Sequence, residues 1–517
     1  MPFSDLHVHP TLKCLFSDPP SKLSPWDKID IRKIPPLVRW CSDFQYILQS
    51  QSNLSQLVNN EYSIVCIALY VPERAILEND LILGEADGSL KAYLNKNKIR
   101  QMISSVKQPY RDLIYEDIDT ILNSDKFGVK DRKVLLLKKG LDVVMDDGKN
   151  VYAVFSVEGC HNLSSELRKF DIVEILHNLD DLATRFPIVS LHLTHLEQSQ
   201  ICNHAFGILF LDNEFFRPTG IGISTGGIQI VKHCYQREIL IDLKHMSIHA
   251  RLQLYALRGT AEFKNIHQPL LCTHAGFTGI SIKDIPDYIG NYTKSGKGYI
   301  QLSVGKPVKY GGGIRPSFNA SSINLYDEDI IEILRSGGMI GLSLDKRILG
   351  FHEIEPNDTF REEYPVETEF ISEKERAIFF SSTEAGNAFL DDRCITWSEL
   401  KEGGKVNPMI ADYHLHHFLQ HIVHLIVVAE NNGYDVMSAL QQICIASDFD
   451  GIINPLWCCD TTDEIVYFKQ AFDNSLEAFI SDSNVILPAS FDLHAFSDAL
   501  FYSNGKNFII SRLHKMK

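Results

Sequence analysis

The sequence has 517 residues, 44% of them hydrophobic, so the chain can bury a large core in one elaborated domain or in a few simple ones. Its formal net charge is -16 and it has no block of clustered Lys and Arg, which argues against nucleic acid or an anionic membrane as a partner.

The cysteines predict a reducing compartment. There are eleven of them, none in a Cys-x-x-Cys motif, and the adjacent Cys458 and Cys459 are poorly placed to form an unstrained disulfide with each other. No basic and then apolar leader opens the chain, and the longest mostly apolar run, 422–429, is too short to span a bilayer. We therefore expect reduced cysteines and a cytoplasmic protein.

The first ten residues, Met-Pro-Phe-Ser-Asp-Leu-His-Val-His-Pro, predict the first strand and the start of a metal site. Alternate side chains of a strand point the same way, so His7 and His9 should project together from its C-terminal end. A lone His-x-His motif is weak evidence, and the metal interpretation depends on further ligands from later strands.

The next part of the chain predicts helices around two buried strands. Helical periodicity covers 37–57, and the apolar run 63–70 is typical of a strand covered on both faces. Polar, Lys-rich helical patterns cover 90–139. The third strand, 151–157, ends directly before Glu158.

After this strand, predicted strands and helices alternate regularly, with helix patterns around 227–236 and 327–335. Five more strands are predicted at 188–193, 239–243, 269–273, 339–344 and 442–446. Four of these strands are followed closely by a side chain suited to metal or proton chemistry, namely His195, His245, His274 and Asp448.

Eight short apolar strands that alternate with helices predict a parallel sheet, and closing it as a (β/α)8 TIM barrel removes its edges. Such barrels carry their active sites at the C-terminal ends of the strands. Six of the predicted strands have a metal-capable side chain at that end.

Two regions, 276–322 and 345–411, exceed what a plain barrel needs. We interpret the whole chain, 1–517, as one elaborated barrel with these two regions as insertions on the active-site side. A lid or substrate wall is one interpretation of the insertions, and a solvated decoration or an oligomer contact is the other.

The candidate site residues carry imidazole and carboxylate groups without thiolates, which suits catalytic zinc, manganese or iron. They are His7, His9, Glu158, His245, His274 and Asp448, with His195 beside them. Three or four ligands saturate one metal, so this number predicts two divalent ions, bridged by Glu158. Two ions about 3.5–4 Å apart can activate one shared water, with Asp448 as acid-base group and His195 as donor to the oxyanion.

The ordered motifs of the chain resemble those of the membrane (renal) dipeptidase family of the amidohydrolase superfamily, which are zinc-dependent barrels that hydrolyse small amides. The motifs are Asp5-Leu6-His7-Val8-His9, Val157-Glu158-Gly159-Cys160-His161, Leu193-Thr194-His195, Ile241-Asp242-Leu243-Lys244-His245-Met246-Ser247, Thr273-His274-Ala275, Asn324-Leu325-Tyr326-Asp327-Glu328, His421-Ile422-Val423-His424 and Ser447-Asp448-Phe449-Asp450-Gly451. The resemblance implies His7 and His9 on one zinc, His245 and His274 on the other, and Glu158 between them. It implies that His195 polarises the substrate and that Asp448 is the acid-base carboxylate, whereas Asp5 and Asp242 match no ligand.

The chain departs from the family at two motifs. His9 stands where the family has Asp, which removes one negative charge from the site. Ile323 stands where the family has an Arg that holds the substrate carboxylate, and Ile323 cannot make that bidentate pair. Arg315, in a Gly-rich segment nearby, is a candidate substitute.

Other histidines are interpreted as structural. His417, His421 and His424 share one face of a predicted helix without the acidic partner of a metalloprotease motif. A role of His421 or His424 in bracing the site is the alternative. His192 and His204 are expected to be packing or surface residues rather than ligands.

The sequence thus predicts a binuclear metallohydrolase that cleaves a C–N bond in a small substrate, with a dipeptide or N-acyl amino acid first. One alternative is an amidohydrolase acting on a lactone, cyclic amide or phosphoester. The other is a barrel that binds metal without catalysis. The partner is expected to be a small molecule, and a homodimer is compatible with the sequence.

Overall fold

The computed structural model describes most of the chain. The described residues are 2–15, 17, 24–29, 49–79, 95–104, 110–123, 133–140, 150–165, 170–207, 213–312, 315–351, 366–380, 401–402, 405–406 and 408–516. Most of the segment 345–411 and much of the predicted helix at 37–57 therefore lie outside them.

Eight parallel strands form one sheet, in which each strand pairs with the next barrel strand along the chain. These strands are β1 (Phe3–Val8), β2 (Tyr62–Leu69), β4 (Val151–Val157), β5 (Ile188–His192), β6 (Leu240–Asp242), β7 (Leu271–Ala275), β10 (Met339–Leu342) and β14 (Ile443–Ile445). The last strand returns to the first: the backbone N–H of Asp448 donates to His7 O at 2.9 Å, and that of His9 donates to Phe449 O at 2.9 Å. The sheet is thereby nearly closed, as predicted for a (β/α)8 TIM barrel.

Helices lie between the barrel strands and beyond the last one. They are α1 (Leu12–Leu15), α2 (Leu54–Asn59), α3 (Arg74–Leu77), α4 (Lys96–Ser104), α5 (Tyr110–Leu122), α6 (Ile172–Arg185), α7 (Thr225–Gln236), α8 (Ile248–Arg258), α9 (Ile285–Tyr288), α10 (Asp327–Arg335), α11 (Lys346–Leu349), α12 (Arg376–Phe379), α13 (Pro408–Asn431), α14 (Val436–Leu440), α15 (Ile465–Asp482), α16 (Leu493–Asp498) and α17 (Asn504–Lys515). None of the described helices is both long enough and apolar enough to cross a bilayer.

The strands are apolar on both faces because both faces are covered. Outward side chains such as Val157 and Leu191 belong to the main core together with helix residues such as Leu179 of α6. Inward side chains such as Leu6 and Leu240 belong to a second core inside the barrel. This two-sided burial explains the continuous apolar runs that predicted a parallel sheet.

The end of the barrel opposite the strand C-termini is closed by α17. Ile509 and Leu513 of this helix join the inner core, together with Met516 just beyond it. Arg512 is almost fully buried and donates from Nη2 to Gln268 Oε1 at 2.7 Å. We call this end the base of the barrel, and the end with the strand C-termini the rim.

The prediction of helical patterns throughout 90–139 was wrong at one place. Val134–Leu136 form strand β3, which pairs in parallel with β4 outside the closed sheet. The segment is only three residues long and half buried, so it lacks both the length and the alternation that distinguish a strand in sequence.

The two insertions contribute to one small antiparallel sheet. The first insertion supplies β8 (Ile289–Lys294) and β9 (Tyr299–Gly305), and the second supplies β11 (Val366–Ser372), which pairs along its length with β9. The second insertion also forms the pair β12 (Lys401–Glu402) and β13 (Lys405–Val406). The long-range pairing between β9 and β11 was not predicted, since nothing local in sequence indicates it.

Eight of the described cysteines form no disulfide, namely Cys66, Cys160, Cys202, Cys234, Cys272, Cys444, Cys458 and Cys459. They include the neighbours Cys458 and Cys459, and nearly all of them are buried. Burial raises the pKa of buried thiols such as Cys66, to about 12, so these groups are packed as neutral side chains rather than as reactive thiolates.

Candidate metal centre

Glu158 lies at the centre of the candidate site, directly after β4. Its Oε1 lies 3.4 Å from His7 Nε2, 3.3 Å from His245 Nε2 and 3.5 Å from His274 Nε2. Its Oε2 lies 3.3 Å from His9 Nε2. The carboxylate therefore faces two pairs of histidines at once. Oε1 faces His7, His245 and His274, and Oε2 faces His9.

The first histidine pair comes from β1. The pairing of β1 with β2 is irregular between Asp5 and Val8, and His7 and His9 project to the same side of the strand end. Their Nε2 atoms lie 3.1 Å apart, and both side chains are buried. This confirms the prediction that the His-x-His motif presents both imidazoles together.

The second histidine pair comes from β6 and β7. The Nε2 atoms of His245 and His274 lie 3.0 Å apart, and both residues are buried. Strand β7 starts and ends later than predicted, so His274 lies inside the strand rather than after it. Both residues have positive φ, 67° for His245 and 35° for His274.

Asp448 follows β14 and faces the first histidine pair. Its Oδ1 lies 3.3 Å from His9 Nε2 and 3.8 Å from His7 Nε2, and its side chain is 14% exposed. Its φ is 66°, which is uncommon for a residue other than Gly. Non-glycine residues in this region of φ cost free energy and cluster at functional sites, so their recurrence at His245, His274 and Asp448 supports a functional rim.

His195 lies beside this cluster, with its Nε2 3.6 Å from Glu158 Oε1. Its other nitrogen, Nδ1, lies 2.6 Å from Oε1 of the buried Glu73, whose Oε2 accepts a hydrogen bond from Tyr70 at 2.6 Å. Glu73 also accepts from the backbone N–H of Leu196 at 3.1 Å. The imidazole of His195 is therefore fixed in orientation, with Nε2 towards the site.

Glu73 and Tyr70 were missed in the sequence. Both come within a few residues of the end of β2, the kind of position that indicated the other site residues, but neither belongs to a recognisable motif. A systematic survey of polar residues just after every predicted strand would have found Glu73.

The floor of the site contains Thr273, Asp242 and His192. Thr273 Oγ1 lies 3.1 Å from His7 Nδ1 and 3.1 Å from His274 Nδ1, and it donates to Asp242 Oδ2 at 2.7 Å. His192, predicted to be a packing or surface residue, is fully buried next to Asp242, with Nε2 3.4 Å from Oδ2. It can share a metal with His7, Glu158 and His274.

The backbone of the site is held by the two aspartates that matched no ligand. Asp5 Oδ1 accepts from the N–H groups of His7, at 3.0 Å, and Ser447, at 2.9 Å. Asp242 Oδ1 accepts from the N–H groups of Lys244 and Thr273, both at 3.1 Å. These contacts connect β1 to β14 and β6 to β7, so both aspartates organise the strand ends.

The cluster holds an ionised carboxylate among imidazoles of two kinds. Burial opposes the protonation of His7, but Glu158 outweighs burial and raises the pKa of His7, whereas the pKa values of His245 and His274 are lowered. Burial alone would raise the pKa of Glu158, but the adjacent His7 and His195 hold it well below its usual range. Burial lowers the pKa of His245 and His274 well below that of a free histidine, with His195 adding to the effect at His245 and His7 at His274.

The pKa values of Asp448 and His195 are both raised above those of the free side chains. Burial raises the pKa of Asp448 above its usual value, against hydrogen bonding from His9. Burial opposes the protonation of His195, but Glu73 and Glu158 outweigh burial and raise its pKa to about 9. Asp448 is thus a better proton acceptor than an ordinary aspartate, and His195 is a better-held cation than an ordinary histidine.

The residues fit divalent metal ions. Three overlapping groups have potential ligand atoms within 4.8 Å of one another: His7, Glu158, His192 and His274; His7, His9 and Asp448; and Glu158, His195 and His245. Each Nε2 of the two histidine pairs faces another nitrogen at about hydrogen-bond distance and a carboxylate oxygen. Lone pairs that converge in this way need a proton or a cation between them, and nitrogen and oxygen donors suit zinc, manganese or iron.

The other sequence candidates lie apart from the cluster or outside the described residues. Arg315 is exposed, and its role remains a prediction. His421 accepts at Nδ1 from Phe277 N at 3.0 Å and contacts Leu349 O, so it braces the loop after β7 as a part of α13. His204 contacts Phe216 O and packs in the interior, as predicted.

Neither the protein-family models nor the curated proteins gave a match to this sequence. Among solved structures, the fold is similar to a metallopeptidase from Rhodobacter sphaeroides liganded with a phosphinate mimic of the dipeptide L-Ala-D-Ala, with a TM-score of 0.49 and 14% identity over 100% of this chain and 99% of that chain. It is similar to dipeptidase AC, a metallopeptidase, with a TM-score of 0.49 and 13% identity over 100% of this chain and 98% of that chain. It is also similar to the probable dipeptidase PvdM from Pseudomonas aeruginosa, with a TM-score of 0.47 and 12% identity over 90% of each chain. The three neighbours are thus a metallopeptidase, a dipeptidase of metallopeptidase family M19 and a probable dipeptidase.

Proposed function

We propose that the chain is a binuclear metal-dependent hydrolase that cleaves an amide bond of a small substrate, with a dipeptide or N-acyl amino acid as the leading class. The observation that carries the proposal is the convergence of two histidine pairs, from β1 and from β6 and β7, on the single carboxylate of Glu158. A binding barrel without catalysis would not need the acid-base group and the oriented imidazole beside this arrangement.

We assign His7 and His9 to one metal, His245 and His274 to the other, and Glu158 to both. Two divalent cations, zinc first, would supply a water of lowered pKa and polarise the carbonyl under attack. This ligand set has four imidazoles and one shared carboxylate. Its net charge is less negative than that of a centre with several carboxylates, so it attracts a cationic substrate less and favours a neutral amide.

Asp448 is the proposed acid-base group. It is the most accessible carboxylate of the cluster, and its raised pKa suits a group that takes a proton from the attacking water and delivers it to the leaving amine nitrogen.

His195 is the proposed donor to the developing oxyanion. With Nδ1–H donated to Glu73, its Nε2 carries a hydrogen only in the imidazolium form, which the raised pKa of His195 maintains.

The insertions are proposed to wall the site as one subdomain. Glu375, just after β11, accepts from Ser247 Oγ at 2.8 Å and from Gly222 N at 3.0 Å. Ser247 comes two residues after His245, so the insertion is tied to the loop that carries a proposed metal ligand.

A second candidate function, hydrolysis of a lactone, cyclic amide or phosphoester by the same centre, is favoured by one observation. Ile323 is 5% exposed, and its Cδ1 lies 2.5 Å from where a Cβ on Gly207 would be, so this position offers a packed apolar side chain rather than a cation. The chain therefore lacks, at this position, the charge that would hold a substrate carboxylate.

A substrate panel with metal analysis tests the proposal. L,L- and L,D-dipeptides, N-acyl amino acids, lactones and a phosphodiester are assayed with zinc and with manganese, and two bound ions with turnover of a dipeptide or N-acyl amino acid are expected. Turnover of lactones or the phosphodiester alone would favour the second candidate. Two bound ions with no turnover of any substrate in the panel would favour a binding barrel.

Glu158→Gln should abolish turnover and lower metal content, because an amide supplies one neutral oxygen in place of a bridging carboxylate. Glu369→Gln is the matched control, since Glu369 is also a buried carboxylate but lies on the insertion sheet, and it should retain wild-type metal content. Full turnover in the Glu158 variant would show that the bridge is misassigned.

A further inference from the structure

One hydroxyl group connects the two halves of the proposed metal centre, so the inference below rests on the proposed function. Thr273 Oγ1 lies 3.1 Å from Nδ1 of His7 and 3.1 Å from Nδ1 of His274, which belong to different proposed metals. The same oxygen donates to Asp242 Oδ2 at 2.7 Å, and a third imidazole nitrogen, His192 Nε2, lies farther from it, at 3.5 Å. All of these side chains are buried, so no solvent competes for the contacts.

A threonine hydroxyl has one hydrogen to donate and two lone pairs to accept with. Asp242 takes the hydrogen because an ionised carboxylate only accepts, and this leaves both lone pairs for N–H donors. The contacts to His7 and His274 then require a hydrogen on Nδ1 of each ring. A neutral imidazole with its hydrogen on Nδ1 presents a lone pair at Nε2, the atom that faces Glu158 in both residues.

We propose that Thr273 is a positioning residue that fixes the metal-binding tautomer of one histidine at each of the two metals, through a single hydroxyl oriented by Asp242. Histidine ligands elsewhere are oriented by hydrogen bonds at the nitrogen that does not bind metal, and loss of such a partner typically weakens metal binding about 10- to 100-fold. Here one oxygen performs this role for both halves of the site.

The other two histidines of the centre provide an internal contrast. Nδ1 of His9 and Nδ1 of His245 are buried and have no hydrogen-bond partner among the described residues. Each proposed metal thus has one histidine anchored on Thr273 and one held by packing alone. Changing Thr273 should therefore affect both metals together, whereas no single change at the other histidines would.

The test is the affinity of the purified full-length chain for Zn²⁺ and Co²⁺, measured by competition with a chromophoric chelator. Thr273→Val replaces the hydroxyl by a methyl group of similar size and should weaken both binding steps about 10- to 100-fold. Thr273→Ser keeps the hydroxyl and should restore affinity to within about threefold. The Co²⁺ absorption spectrum reports the ligand geometry, and it should change in the Val variant and not in the Ser variant.

Thr194→Val is the matched control. Thr194 is buried next to His195, and its hydroxyl has no hydrogen-bond partner among the described residues, so the same substitution should leave both affinities unchanged. Wild-type affinity for both ions in Thr273→Val, or weakening of only one ion, would overturn the inference. Failure of the wild-type chain to bind two ions would instead overturn the proposed function, so the two failures are distinguishable.

Discussion

The rim and the base of the barrel are built from the same eight strands but differ in the side chains that they bury. At the rim, buried carboxylates and histidines converge and several of them have positive φ. At the base, apolar side chains of the strands pack against α17 around a small cavity lined mainly by residues such as Leu240, Leu271 and Ile509. The rim thus concentrates charge and backbone strain, and the base supplies apolar burial. We infer that function and stability are separated along the barrel axis, and the predictions below test that separation.

Among the changes that leave the proposed metal ligands intact, the largest effect is expected at Asp448. Asp448→Asn removes the proton acceptor and should lower kcat about 10²- to 10⁴-fold while metal content stays near wild type, because the histidines and Glu158 remain. Steady-state kinetics and metal analysis on the same preparation check this. A loss of metal in proportion to the loss of activity would make Asp448 a ligand instead.

A smaller effect, visible in the pH profile, is expected at Glu73. With Glu73 ionised next to it, His195 has a raised pKa and remains protonated into the alkaline range. Glu73→Gln removes the charge but retains an acceptor for Nδ1–H, so the pKa of His195 should fall. The alkaline limb of kcat/KM should move to lower pH, and an unchanged limb would remove His195 from the reaction.

These two predictions differ in how far the sequence anticipated them. Asp448 follows a predicted strand inside a motif, so periodicity and motif order together placed it at the rim. Glu73 becomes significant only through its 2.6 Å contact with His195, which is 122 residues away in sequence. The contacts of Thr273 with two histidines were likewise invisible, because they depend on how strands β1 and β7 face each other across the barrel.

Truncating a buried side chain at the base should lower the stability of the protein without changing its catalytic activity. Leu513→Ala in α17 deletes a fully buried side chain of the inner core and should lower the free energy of unfolding by about 2–5 kcal/mol, with kcat/KM unchanged for the folded fraction. Val173→Ala on α6 is the control, since Val173 is 76% exposed and its truncation should have little effect. Chemical denaturation measures both, and a large fall in kcat/KM in Leu513→Ala would show that rim and base are coupled.

The smallest effect concerns the insertion sheet. Burial raises the pKa of Glu369 from 4.5 to about 7, although Ser322 donates to it from both N–H and Oγ. The folded state therefore binds the proton more tightly than the unfolded state. This contribution to stability is fully present below about pH 4.5 and is lost as the pH rises to about 7.

Glu369→Gln should remove that pH dependence. Relative to the wild-type protein, its free energy of unfolding should increase by about 1–3 kcal/mol between pH 4.5 and pH 7. Denaturation at several pH values checks this, and parallel curves for the two proteins would contradict the raised pKa of Glu369.

The sequence anticipated the eight barrel strands because two-sided burial produces apolar runs that are readable without a structure. It did not anticipate β3 or the pairing of β9 with β11, because a three-residue strand and a contact between two insertions leave no periodic signal. The metal candidates were found because strand ends converge at a rim. His192 lies within β5 rather than after it, so inspection of the strand ends alone did not indicate that it can share a metal.

The central claim is that two metal ions bind between the two histidine pairs and share Glu158. X-ray diffraction from zinc-soaked crystals, recorded on both sides of the zinc absorption edge, locates the ions directly. The account predicts two anomalous peaks, one beside His7 and His9 and one beside His245 and His274, with Glu158 between them. A single peak, or peaks away from these residues, would contradict it.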